Sequence, residues 1–121
     1  MIQKYGVNGI IAINNVGNTF TPQGSCDPLT LASWSIAVYQ AGTAADTECL
    51  FECVSNRARE AIGFDGNREV RVGTKADLVI YSSGRNEDRL SRQRPRLRLQ
   101  DLIYDPPQER RVIFNGCMIE L

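Results

Sequence analysis

The chain of 121 residues has no histidine. That absence removes every Ser-His or Cys-His catalytic pair and every histidine-bound metal that this chain would build alone. A charge excess is missing too: fourteen Lys and Arg balance fourteen Asp and Glu. No net field therefore draws in nucleic acid or an anionic membrane surface. No apolar run approaches the roughly 20 residues that cross a bilayer, and the N-terminus lacks the basic start and apolar stretch of a secretory signal. The expectation is a cytoplasmic chain that binds neither membrane nor nucleic acid. Disorder is excluded by composition, because 42% hydrophobic and 23% charged residues is ordinary for a globular protein.

The four cysteines, Cys26, Cys49, Cys53 and Cys117, contain no CxxC pair of the kind that tight metal and redox sites use. Without a secretory signal they read as reduced thiols. Cys49 and Cys53 are one helical turn apart and share a face if that segment is helical. A redox pair and a pair of small buried hydrophobes both fit that spacing.

The run Val7-Asn8-Gly9-Ile10-Ile11-Ala12-Ile13 is apolar and β-branched between turn formers, which predicts a strand buried on both faces. The loop Asn14 to Gly24 is too rich in Asn, Gly and Thr for regular structure. Asp27-Pro28 reads as an N-cap and first helical residue, with Gly42 as the stop. A second helix is predicted from Thr43, where Asp46 completes an approximate capping box. Ser55 or Asn56 caps a further helical turn that Gly63 ends.

After Gly63 the character changes. Residues 64–75 are turn-rich and charged, and Asp77 to Tyr81 reads as a strand. Residues 82–96 have no period. Leu97 to Tyr104 is predicted as another strand, interrupted near Gln100-Asp101 and blocked by Pro106-Pro107. Arg111 to Ile119 is a hairpin closed by a type I′ turn at Asn115-Gly116. No phosphate-cradling glycine pattern is present. Two parts result: residues 1–63, an α/β piece, and residues 64–121, a small β piece.

Three stretches in this order carry a family likeness. They are Ile13-Asn14-Asn15-Val16 through Phe20-Thr21-Pro22 to Pro28-Leu29, then Val54-Ser55-Asn56-Arg57-Ala58-Arg59-Glu60-Ala61-Ile62-Gly63, and then Val72-Gly73-Thr74-Lys75-Ala76-Asp77-Leu78-Val79-Ile80-Tyr81. With the closing hairpin, the chain resembles the C-terminal third of the amidohydrolase superfamily, nearest its cytosine-deaminase-like members. The fold implied is α/β: the last βα unit of a TIM-type barrel (1–63) followed by part of a small β-sandwich (64–121).

The resemblance implies a parent enzyme that hydrolyses non-peptide C–N bonds in small molecules such as cyclic amides, amidines or amino-heterocycles. A divalent metal, Zn or Fe, lowers the pKa of a bound water there, and an acidic residue moves protons. The metal ligands of such enzymes are histidines on earlier strands and an aspartate ending the last strand, at the face where barrel active sites sit. This chain departs twice: the earlier strands are absent, and Asn14 occupies the aspartate position. A carboxamide is a weak neutral donor and no base near neutral pH. Asn15, Asn18 and Phe20 fall where the family's loop borders the substrate.

Each of these residues also has a plainer reading. Asn14 and Asn15 satisfy backbone groups at a strand end, and Asn18, Phe20 and Pro22 form an ordinary loop. The arginines at 85, 89, 92, 94, 96 and 98 would suit phosphates, but Glu87, Asp88 and Asp101 interrupt them and only Tyr104 offers a stacking ring. An Arg-rich run before the closing strands is also usual in the family. A whole barrel needs roughly 250 residues, so this chain is expected to expose apolar surface and to meet a missing barrel half or another copy of itself.

Overall fold

The computed structural model describes residues 2–64, 69–81 and 96–119. Helices α1 (Ile2–Tyr5), α2 (Pro28–Tyr39), α3 (Ala44–Val54) and α4 (Asn56–Ala61) precede strand β1 (Leu78–Tyr81). Helix α5 (Leu99–Tyr104) and strands β2 (Arg110–Phe114) and β3 (Cys117–Ile119) follow. The chain is thus mixed α and β, with one antiparallel sheet in the order β1-β2-β3.

Helix α2 starts where Asp27 and Pro28 predict. The Asp27 carboxylate accepts the Leu29 backbone N–H at 3.1 Å and the Thr30 hydroxyl at 2.9 Å, meeting one of the helix's orphan donors. The helix ends earlier than Gly42 suggests. Gln40 takes the left-handed conformation at φ 52°, and the Ala41 N–H returns to the Ile36 carbonyl.

Helix α3 carries the predicted capping box. Thr43 Oγ1 accepts the Asp46 N–H at 3.2 Å, and Asp46 Oδ2 accepts the Thr43 N–H at 3.1 Å. Its buried residues Thr47, Leu50 and Cys53 form one stripe. Ser55 (φ −125°, ψ −104°) breaks the helix before α4.

Leu97 to Tyr104 is a correction: residues 99–104 are helical. The Asp101 carboxylate accepts the Arg98 N–H at 3.1 Å and pairs with the Arg98 guanidinium, which favours a helix start over an extended ladder. Leu99, Leu102 and Ile103 then share a face, and Ile103 is completely buried.

Residues 7–13 are the second correction, since they form neither helix nor strand. Their link to the helices is Ile11 N–H donating to the Cys53 carbonyl at 3.0 Å. A strand needs a neighbour to complete its ladder, and residues 7–13 pair with none of the three strands of the sheet. Among the described residues there is no barrel strand and no second sheet layer.

The hairpin forms as predicted, with positive φ at Asn115 (53°) and Gly116 (80°). Val112 faces Val79 on one side and Ile119 on the other. Asp77 accepts the Asn115 N–H at 2.7 Å and anchors the turn to the start of β1. The apolar core is small: Leu29, Ala32, Leu50 and Ile103 cluster together, with Ile11, Ile36, Phe51, Val54, Tyr81 and Leu102 around them. It draws on both 1–63 and 64–121.

Candidate functional site

Asn14 and Asn15 are exposed. Asn18 braces its own turn: its side-chain oxygen accepts the N–H groups of Phe20 at 2.8 Å and Thr21 at 3.0 Å. The Gly17 N–H donates to the Thr21 carbonyl, so Asn18 and Phe20 belong to one tight turn. The Phe20 ring is 92% exposed. This geometry satisfies the backbone of a loop, and it aims no set of donors at a common point.

A divalent cation needs several oxygen or nitrogen ligands. Asn14 supplies one neutral carboxamide, and among the described residues no three His, Cys, Asp or Glu side chains gather to hold a metal. The described residues do not by themselves fit the metal that the resemblance implies. Of the arginine run, the first four lie outside the described residues. Arg96 and Arg98 are engaged with Asp105 and Asp101.

The strongest polar constellation lies at the start of α2. Arg110 Nη1 and Nη2 donate to Asp27 Oδ1 and Oδ2 at 2.8 and 2.9 Å, and Nη2 also donates to the Pro107 carbonyl at 3.0 Å. The guanidinium stands over the Tyr81 ring, 5.5 Å from its centre. The Arg110 hydrogen bonds hold the Asp27 carboxyl below its usual range, against the opposing effect of burial. Burial pushes the Tyr81 phenol up. The Asp27 and Arg110 charges satisfy each other, so the pair clamps the sheet to α2. Asp27 is legible in sequence as a cap, but its partner 83 residues away carries no local signal.

A cleft of about 430 Å³ lies between α4 and the 69–78 turns, lined by Asn56, Arg59, Glu69, Arg71, Lys75 and Asp77 among others. Four of its five charged side chains form ion pairs. Arg71 pairs with Glu69, Lys75 with Asp77 at 3.2 Å, and the Arg59 guanidinium sits over Phe64. Cys49 and Cys53 lie on α3, with Cys53 buried and Cys49 half-buried. Comparison with protein-family models, curated proteins and solved structures finds no significant match.

Proposed function

We propose that this chain is the C-terminal portion of an amidohydrolase-like metal-dependent hydrolase acting on non-peptide C–N bonds, and that it is catalytically incomplete by itself. One observation supports the reading: apolar side chains are left outside where the family likeness would have them covered. Val7, Ile10, Phe20, Trp34, Val38 and Tyr39 are exposed in the first part, as are Val79, Ile80, Phe114 and Met118 in the sheet. In this reading residues 7–13 become a strand only when neighbouring barrel strands arrive, and the sheet belongs to a larger sandwich. The metal and its histidines come with the missing part, and Asn14 weakens the site so formed.

The test is to mix the chain with a separately expressed barrel portion of a cytosine-deaminase-like enzyme that lacks its own last βα unit. A one-to-one complex that shields Trp34 from a fluorescence quencher supports the reading. In that complex Asn14→Asp should raise zinc occupancy, and unchanged occupancy means that the ligand position lies elsewhere. Failure to form any complex sinks the proposal.

A second reading, a non-catalytic module that pairs with itself, is favoured by a different observation. The core cluster closes without help, and its helices carry their own caps. A stable dimer in light scattering after size exclusion, indifferent to the added barrel portion, would establish it.

A further inference from the structure

We propose that Asn8 is a modification site, at which the chain converts its own carboxamide to aspartate and isoaspartate. An asparagine followed by glycine is open to attack by its own backbone, because no Cβ shields the next amide nitrogen. The chain has two such pairs, Asn8-Gly9 and Asn115-Gly116. The fold treats them differently.

At Asn115 the reacting groups are held. The Gly116 N–H donates to the Ala76 carbonyl at 2.9 Å, and the Asn115 N–H donates to Asp77 Oδ1 at 2.7 Å. Phe114 and Cys117 pair on either side of the turn. The Gly116 nitrogen turns toward the Asn115 side chain only when the hairpin opens and its cross-strand bonds part.

At Asn8 no other element holds the pair. The residue is exposed, and residues 7–13 belong to no helix or strand. The Gly9 N–H bonds within its own three-residue turn, to the Val7 carbonyl at 2.9 Å. A Cβ on Gly9 would meet only the side-chain end of Ile2, which can turn aside. Rotation of the Asn8 backbone alone therefore frees the nitrogen.

The Gly9 nitrogen bonds to the Asn8 side-chain carbon, and the side-chain nitrogen leaves as ammonia, taking the Gly9 amide proton. Water then opens the cyclic imide at either carbonyl. Opening at the side-chain carbonyl gives aspartate. Opening at the main-chain carbonyl gives isoaspartate, in which the chain runs through the side-chain carbon. Water is the only co-reactant, and nothing is oxidised or reduced. Either product puts a negative charge at position 8, and isoaspartate also adds one atom to the backbone. That atom shifts the side-chain alternation of residues 9–13 against any strand that would pair with them. The site thus limits how long an unpaired chain stays competent to enter a barrel, a consequence that, unlike the site itself, rests on the proposed hydrolase reading.

The test ages the full chain in mildly alkaline buffer made with oxygen-18 water, native and in urea, and maps its peptides by mass spectrometry. In the native chain Asn8 should convert faster than Asn115 by about tenfold or more, which corresponds to about 1.4 kcal/mol of hairpin opening. Labelled aspartate and isoaspartate should both appear at position 8. In urea the two rates should converge, since the protection of Asn115 is conformational. The acidic form that builds up on ion exchange should be missing from Asn8→Gln, whose longer side chain closes the ring slowly. Equal rates at the two sites in the native chain overturn the proposal. So does an Asn8 that stays intact, or that yields aspartate with no isoaspartate. None of these readouts involves a barrel portion, so they stand or fall apart from the hydrolase reading.

Discussion

The Arg110 guanidinium and the Asp27 carboxylate meet in two parallel hydrogen bonds of 2.8 and 2.9 Å. Their side chains are only 20% and 17% exposed, so solvent screens the pair less than it would on the surface. The same carboxylate caps α2, and one acid thus holds both a helix start and a strand. Asp27→Ala should cost about 2–3 kcal/mol in urea melts, from a lost cap and a lost charge-assisted pair. Arg110→Ala should cost less, because the cap survives. A double-mutant cycle should show coupling of about 1 kcal/mol or more, and purely additive effects would refute the clamp.

Acid should loosen the protein through the same residue. The folded pKa of Asp27 is lowered chiefly by the Arg110 hydrogen bond, so below neutral pH the unfolded chain binds the proton more readily. Stability from this group is complete above the unfolded value, about 3.9, and is lost as pH falls through the folded value. Asp101 shifts the same way beside Arg98, and Asp77 through the Asn115 N–H. The urea midpoint should hold from pH 7 to about 5 and decline below about 4. Asp27→Asn should be weaker at pH 7 and show a shallower acid decline.

Gly116 sits at φ 80° in the hairpin turn, with open space where a Cβ would go. Gly116→Ala should therefore cost about 1–2 kcal/mol through backbone conformation alone. Asn115→Gly should be nearly neutral. Equal costs for the two, measured by thermal melts, would argue against the turn type.

Ile103 is fully buried against Leu29, Ala32 and Leu50. Ile103→Ala should remove about 2–5 kcal/mol, enough to broaden or abolish the urea transition in a chain with so small a core. Tyr104→Phe should be milder, since it removes only the hydroxyl that donates to the Gly42 carbonyl. A sharp transition of unchanged midpoint for Ile103→Ala would show that α5 is not part of the core.

Much of the fold was legible because it is written locally. Asp27-Pro28, Thr43 with Asp46, and Asn115-Gly116 each set backbone geometry within a few residues. The two misread segments depended on context. Leu97 to Tyr104 has apolar residues that suit either period, but Leu99, Leu102 and Ile103 have helical spacing, and Asp101, which looks like an interruption, is the third helical residue whose carboxylate reaches back to the Arg98 N–H at the helix start. Val7 to Ile13 has a strand's composition, yet composition supplies no neighbouring strand. The Asp27–Arg110 clamp was invisible for the opposite reason, because each residue is unremarkable until the chain folds. The asparagines of the 14–24 loop kept both of their sequence readings. Asn18 answers to the plainer one as well, with its oxygen occupied by Phe20 and Thr21.

The core joins Leu29, Ala32 and Leu50 to a side chain made much later, Ile103. During synthesis, at about 5–20 residues per second, the ribosome spends several seconds between Leu50 and Ile103. Helices α2 and α3 can form in that interval from their own caps, but the face they share stays wet. The nascent chain therefore passes through a window in which chaperones, or another nascent copy, compete with its own last fifth for the same surface. Slowing translation after residue 54 should lengthen that window and lower the yield of folded protein.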